Sequence, residues 1–173
     1  MRPSLQTDHY AARQRVYNGR KASEVDLKMP AFRKPNSVEA FFNRAFGYLV
    51  GMGIGPDYMH LLQVRGRKTG RTYSSPVNLL EVGGKPFLVA PRGRTQWVRN
   101  AEAAGEISLK KGRVQGKYRL RAVPNDDKLE ILKLYLEKYK SAVQRYFPVP
   151  AGSAVESFRG IADNYPVFEL IPV

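Results

Sequence analysis

The pattern of apolar and polar positions separates a polar leading segment from a segment that can form a core. Residues 1–36 are polar and basic and show no sustained periodicity, so we expect a basic N-terminal arm that is partly disordered or loosely docked. Apolar residues then recur with helical spacing over 37–50, and Ser37 is a suitable N-cap for this helix. Its wide apolar stripe favours packing on the core, and a membrane surface or an apolar substrate pocket is the alternative.

Beyond Pro56 the pattern changes from helical spacing to the short alternating runs that are typical of strands. Six strands are predicted, most of them joined by glycine-bearing turns, at 60–64, 72–82, 86–90, 107–110, 114–123 and 167–171. Pro76 interrupts the second strand, which indicates an edge or a bulge at that point. Because strands joined by tight turns run antiparallel, we predict an α+β fold, a small barrel of mostly antiparallel strands with flanking helices.

Two helices are predicted within this strand-rich region. The shorter helix has Thr95 as its N-cap and ends at Gly105, and the longer one is capped by Asn125 or Asp126. Residues 141–165 are predicted to be irregular, because prolines and a glycine interrupt any periodicity there.

Composition limits the chemistry that the chain can perform. Its 173 residues include 29 Lys and Arg against 15 Asp and Glu, a formal net charge of +14, which attracts anions such as nucleic acid, acidic lipid or a phosphorylated ligand. There is no cysteine, which excludes disulfides and a thiolate nucleophile. We interpret the two histidines, His9 and His60, as incidental, and we predict no metal site.

The N-terminus and the most apolar stretch of the sequence indicate where in the cell the protein is expected. The N-terminus lacks the apolar core of a signal peptide, and the apolar stretch around 45–54 is broken by glycines and too short to span a bilayer. We therefore expect a cytoplasmic protein, with peripheral membrane contact left open.

Two basic segments that contain glycine are candidate anion sites. The segment from Arg65 to Arg71 places four cations and two glycines in seven residues. Backbone N–H groups of such a turn can hold a phosphate while the cations neutralise it, although a solvated hairpin tip is the alternative. A second segment, Pro91 to Arg94, ends a different strand, and a curled sheet would let both converge on one polyanion. Trp97 follows, either as core packing or as a contact for a planar ring.

These segments resemble the motifs of the deazaflavin-dependent nitroreductase family. The run from Leu61 to Arg71 is similar to the family's L-L-x-x-x-G-R-[KR]-[ST]-G signature. Three further blocks follow in the family's order and at about its spacing, namely Ser74-Ser75-Pro76-Val77, Leu88-Val89-Ala90-Pro91-Arg92-Gly93 and Trp97-Val98-Arg99-Asn100. Four blocks in one order are much more specific than any single block.

The resemblance implies a split β-barrel over residues 37–173 that binds coenzyme F420, a deazaflavin with a phosphate and an oligoglutamate tail; FMN ranks behind it. It implies hydride transfer between this cofactor and an apolar, electron-poor small molecule such as a quinone, an enone or a nitro compound. The cofactor-binding residues that it implies are Arg67, Lys68, Thr69, Gly70, Ser75, Pro76, Ala90, Pro91, Arg92, Gly93, Trp97 and Asn100.

No catalytic residue is assigned. The proton donor is left open between a tyrosine, Ser75 and water. Some relatives in the family carry tyrosines near the substrate, after the long helix. Tyr135, Tyr139 and Tyr146 lie nearby in this chain, either in that role or as core and surface residues.

Two other functions remain open, and so does the oligomeric state. Tyr118 among Lys117, Arg119 and Arg121 is typical of a nucleic-acid-binding module without enzymatic activity, but no known nucleic-acid motif accompanies it. The other alternative is an ordinary flavin or haem on the same barrel. A small barrel leaves sheet edges to cover, so a homodimer is left open.

Overall fold

The computed structural model describes Leu49 and residues 52–173. The predicted arm over 1–36 and the predicted helix over 37–50 lie outside the described residues, apart from Leu49, which is helical. No helix in the described part of the chain combines the length and the apolar character needed to cross a membrane.

Six strands form the centre of the fold: β1 (Met59–Arg65), β2 (Thr72–Val82), β3 (Lys85–Val89), β4 (Glu106–Lys111), β5 (Val114–Ala122) and β6 (Val167–Pro172). They pair in the order β1-β2-β3-β6-β5-β4, and β4 pairs back onto β1 to close a barrel. Every pairing is antiparallel. The predicted antiparallel barrel with flanking helices is therefore confirmed.

Three α-helices and two 3₁₀ segments lie within residues 52–173. They are α1 (Gln96–Ala104), α2 (Leu129–Lys138), α3 (Lys140–Val143) and the 3₁₀ segments Gln144–Tyr146 and Val155–Asn164. Helix α1 contacts β1, β2 and β4, and α2 packs against the longer 3₁₀ segment.

Strands β3 and β6 bury residues on both of their faces, because side chains alternate between the two sides of a strand. One apolar cluster lies within the barrel and joins Leu62, Leu88 and Leu170 to Ala101 of α1. A second cluster joins the outer face of the barrel to α2, α3 and the 3₁₀ segments, with Leu132 at its centre. Full burial of a leucine stabilises the fold by about 1.5–3 kcal/mol, so both clusters contribute strongly.

The barrel is split along the first half of β2. This strand pairs with β1 from Thr72 to Asn78, but it pairs with β3 only from Leu79 to Val82. Pro76 lies in the half that pairs with β1 and not with β3, so it has a neighbouring strand on one side alone, which confirms the predicted edge at this position. Helix α1 lies against this half and leaves an opening between the helix and the strand.

Two local predictions are wrong. The residue that caps α2 is Lys128, not Asn125 or Asp126. Those two side chains bond instead to the 3₁₀ segment, since Asn125 donates to Asp163 and Asp126 accepts from Arg159. Residues 141–165 are not irregular throughout, because they contain most of α3 and two 3₁₀ segments of three and ten residues, whose three-residue period leaves little signal in the sequence.

The shorter helix begins where it was predicted to begin. Thr95 is the N-cap of α1, and Gly105 ends the helix in a left-handed conformation with φ +72°. The Thr95 hydroxyl makes no capping bond, and it is buried without a hydrogen-bond partner among the described residues.

Candidate functional site

The basic turn between β1 and β2 is held by its own backbone. The N–H of Gly66 donates to the carbonyl of Arg71 at 2.8 Å, and the N–H of Gly70 donates to the carbonyl of Gly66 at 2.8 Å. Gly70 has φ +66°, in the left-handed region that favours glycine. The turn therefore has a defined shape before any ligand binds.

Two backbone N–H groups in this turn, those of Lys68 and Thr69, do not donate a hydrogen bond to any described residue. The other N–H groups have acceptors. The N–H of Arg71 donates to Oγ1 of Thr69 at 3.3 Å, and the N–H of Arg67 donates to Oδ1 of Asn100 at 3.4 Å. Within the described residues, the N–H groups of Lys68 and Thr69 have no acceptor. Adjacent N–H groups beside a lysine are the donor set that binds an anion.

Arg67 ties this turn to helix α1. Its Nη1 donates to Oδ1 of Asn100 at 2.8 Å and to Oε1 of Gln96 at 3.0 Å. Gln96 and Asn100 are one helical turn apart and so share a face of α1. Asn100 is 5% exposed, which makes its side-chain oxygen a fixed acceptor. Arg67 thus serves to brace the turn as well as to add positive charge.

A cavity of about 440 Å³ lies between the turn, the first half of β2 and the start of α1. The described residues that line it are Gly66, Arg67, Lys68, Thr69, Tyr73, Ser74, Ser75, Gln96, Trp97 and Asn100. Trp97 is half-buried, and its ring meets that of Phe168 edge-on at 6.2 Å between centroids. The cavity therefore combines a cationic turn with aromatic and hydroxyl-bearing walls, and its volume suits a small-molecule ligand.

The structure brings half of the residues expected to bind the cofactor into this cavity. The six that line it are Arg67, Lys68, Thr69, Ser75, Trp97 and Asn100. Gly70 belongs to the same turn, and Pro76 follows Ser75 in β2. As cofactor-binding residues, all of these remain predictions.

The second basic loop does not line this cavity. Ala90 is 1% exposed and packs with Val98 and Phe168. The guanidinium of Arg92 lies 5.9 Å from the ring centre of Tyr146, and Arg94 is ion-paired with a helix side chain. The predicted convergence of the loop 90–93 with the basic turn is therefore not seen around this cavity.

Four lining residues were not among those that the sequence predicted to bind the cofactor: Gly66, Tyr73, Ser74 and Gln96. Gln96 could have been predicted from the sequence, because it lies four residues before Asn100 in a predicted helix and therefore shares its face. Tyr73 is 46% exposed, and its hydroxyl lies 3.2 Å from Oγ1 of Thr69, a contact that no periodicity reveals.

The tyrosines considered for the substrate side have other positions. Tyr135 and Tyr139 are buried in the outer core, and neither is among the described residues that line the cavity. The hydroxyl of Tyr139 donates to the carbonyl of Leu79 at 2.6 Å. Burial, with smaller contributions from Tyr58 and Glu81, raises the pKa of Tyr139 to about 12. These features favour the core interpretation of both residues.

The fold and the cavity together define a barrel protein in which a basic turn, with two backbone N–H groups that have no acceptor among the described residues, borders a cavity. The family of the F420H(2)-dependent quinone reductase matches residues 37–149, and the chain belongs to this family. This confirms the resemblance to a deazaflavin-dependent family that the sequence motifs indicated. No curated protein matches the chain significantly.

Solved structures share the architecture. Atu2129, a protein of unknown function from Agrobacterium tumefaciens str. C58, superposes with a TM-score of 0.50 at 18% identity. The match covers 82% of this chain and 57% of that protein, so this chain spans little more than half of its length. An F420-H2 dependent reductase, FDR-A, gives a TM-score of 0.44 at 20% identity and covers 66% and 94% of the two chains. HutZ, the haem storage protein of Vibrio cholerae, gives 0.47 at 12% identity and covers 75% and 87%.

Proposed function

We propose that this protein is an oxidoreductase that transfers a hydride between coenzyme F420 and a small, electron-poor acceptor such as a quinone, an enone or a nitro compound. A hydride and a proton reduce the acceptor by two electrons while the reduced cofactor is oxidised. Membership of the quinone reductase family supports the reaction class. The observation that carries the proposal is the pair of N–H groups of Lys68 and Thr69, which have no acceptor within the described chain and belong to two residues that line the cavity.

The residues present fit the anionic part of this cofactor. A phosphate accepts several hydrogen bonds at once, and the turn offers two backbone donors, the Lys68 ammonium and the Thr69 hydroxyl. The turn needs little rearrangement on binding, because Asn100 and the turn's own backbone already hold it. The net charge of +14 adds long-range attraction for a tail of carboxylates.

Other residues of the cavity suit the planar part of the ligand. When bound, the deazaflavin supplies the hydride, so the protein's contribution is orientation and a dry surface. The Trp97 ring, held against Phe168, offers a flat apolar wall that excludes water. Ser75 pairs with the buried Leu62 in the β1–β2 register and so shares its face of the sheet, which puts a hydroxyl donor at the wall.

The structure does not support the alternative of a nucleic-acid-binding module. Arg121 donates from Nε to Glu169 at 3.1 Å, and the ring of Tyr118 packs partly into the barrel core. Both groups are thus occupied within the fold, which does not favour this second function.

The experiment is a titration of the full chain with oxidised coenzyme F420, followed by Trp97 fluorescence at low and moderate salt. We expect saturable quenching at micromolar ligand, and a dissociation constant about tenfold higher in Lys68→Ala because a charge-assisted bond is lost. Lys85→Ala is the matched control, since Lys85 is exposed in the β2–β3 hairpin and outside the described cavity wall. Absence of quenching, or equal weakening in both variants, would overturn the proposal. Oxidation of the reduced cofactor by a soluble quinone then tests the reaction itself.

A further inference from the structure

Two loops pack together at one end of the barrel, and we call them the β4–β5 tip: residues 52–57 and residues 110–114. Their backbones touch through two glycines, since a Cβ on Gly53 would lie 3.2 Å from Cα of Gly112. The ammonium of Lys111 donates to the carbonyl of Pro56 at 2.7 Å. The tip is therefore one continuous surface built from two loops.

This tip exposes apolar side chains. Met52 is 49% exposed, Ile54 57% and Val114 75%. These three are half of the six large apolar side chains that are exposed in the described part of the chain. Single exposed apolar residues are ordinary, whereas a concentration of them on one surface indicates an interaction site.

The same surface is basic. The tip carries three cations, Lys110, Lys111 and Arg113, and a single carboxylate, that of Asp57. That carboxylate already accepts from Lys111 at 3.2 Å. Cations beside exposed aliphatic side chains match the boundary of an anionic bilayer, where headgroups meet the cations and acyl chains meet the aliphatic groups.

The tip lies at the end of β1 opposite the cavity. Leu61, near the start of β1, pairs with Lys110, whereas Arg65 at the end of β1 leads into the basic turn. The seven residues of β1 span about 20 Å. A surface bound at the tip therefore leaves the basic turn open to water, where a charged ligand can still enter.

We propose that the β4–β5 tip docks on anionic lipid bilayers, inserting Ile54 and Val114 at the level of the headgroups. A second copy of the chain fits less well, because a symmetric contact would place the same cations against each other. Nucleic acid would be attracted by the cations, but the exposed aliphatic side chains would add no favourable contact with its phosphates. This inference does not depend on the cofactor, so it can fail while the proposed function stands.

The absence of cysteine from the sequence allows a direct test. The variant Val114→Cys of the full chain, labelled with an environment-sensitive dye, is mixed with phosphatidylcholine vesicles that contain about a third of phosphatidylglycerol. The matched control is Ala103→Cys, which is exposed on α1 just before the opposite end of β4. We expect the dye on Val114→Cys to become brighter and blue-shifted with anionic vesicles and not with pure phosphatidylcholine, while the control stays unchanged.

A second pair of variants separates insertion from general charge attraction. Ile54→Asp together with Val114→Asp should lower co-sedimentation with anionic vesicles about tenfold or more, because each carboxylate is repelled by the headgroups and cannot insert. The midpoint of thermal unfolding of the double variant should stay close to that of the wild type, which shows that the variant is folded without reference to any cofactor. Equal dye responses at both positions, undiminished sedimentation of the double variant, or a response that follows protein concentration without vesicles would each overturn the proposal.

Discussion

The Nη1 atom of Arg67 lies 2.8 Å from Oδ1 of Asn100, a residue 33 positions later in the chain. The same oxygen also accepts the backbone N–H of Arg67 at 3.4 Å. One buried amide oxygen therefore holds both the main chain and the side chain of the basic turn against helix α1. Because the cavity is bounded by these two elements, we expect its shape to depend more on this buried acceptor than on the exposed one of Gln96.

We predict that Asn100→Ala weakens binding of coenzyme F420 about tenfold, because a buried acceptor worth about 1–3 kcal/mol is lost and the turn becomes mobile. Gln96→Ala removes the other, more exposed acceptor of Arg67 and should change the affinity by about twofold or less. Both values come from the Trp97 fluorescence titration. Equal effects of the two substitutions would contradict the role given to Asn100.

Gly66 is predicted to be required because of the Tyr73 ring. A Cβ at Gly66 would lie 2.3 Å from Cε2 of Tyr73, so Gly66→Ala must displace this half-exposed ring. We expect a loss of about 1 kcal/mol in the free energy of unfolding. In a Tyr73→Ala background the same substitution should cost less than about 0.5 kcal/mol. Denaturant unfolding of the four proteins measures this coupling, and additive losses would show that the ring is not the obstacle.

Tyr139 should make stability depend on alkaline pH. Burial raises its pKa from 10.0 to about 12, so the unfolded chain loses this proton first. The stabilisation linked to the neutral hydroxyl is fully present below pH 10 and is lost as the pH rises towards about 12. Tyr139→Phe should lose about 1–2 kcal/mol at neutral pH, because the bond to Leu79 is gone, and should show a shallower decline above about pH 10. Urea unfolding at several pH values provides the comparison. Parallel pH profiles for the two proteins would be evidence against this linkage.

The pair of Arg121 and Glu169 supplies a fourth test. Glu169 is 8% exposed on β6, and Arg121 donates to it from the neighbouring strand. Arg121→Met leaves this carboxylate without its partner, and the free energy of unfolding should fall by about 1–3 kcal/mol. Arg119→Met is the control on the same face of β5, with an expected change within about 0.5 kcal/mol. Similar midpoints in thermal unfolding for both variants would contradict this account.

Much of the architecture could be predicted from the sequence, because its determinants are local. Alternation of apolar residues and glycine-bearing turns indicated the strands and their antiparallel pairing, and Pro76 indicated the half of β2 that pairs with β1 and not with β3. The turn from Arg65 to Arg71 was visible as a candidate anion site because its cations and glycines are adjacent in the chain.

Other features depend on which distant segments meet, and local patterns do not contain that information. Asn125 was expected to cap α2, but the 3₁₀ segment offers Asp163 as its partner, so Lys128 occupies the cap. Likewise, the sequence predicted that both basic loops could converge on one ligand. Only the closure of the barrel decides that the first meets Asn100 across the split and that Arg92 of the second lies beside Tyr146. The residue types of the candidate site could thus be predicted from the sequence alone. Their neighbours in the folded chain were decided by tertiary packing, because strand register and helix placement select which side chains meet.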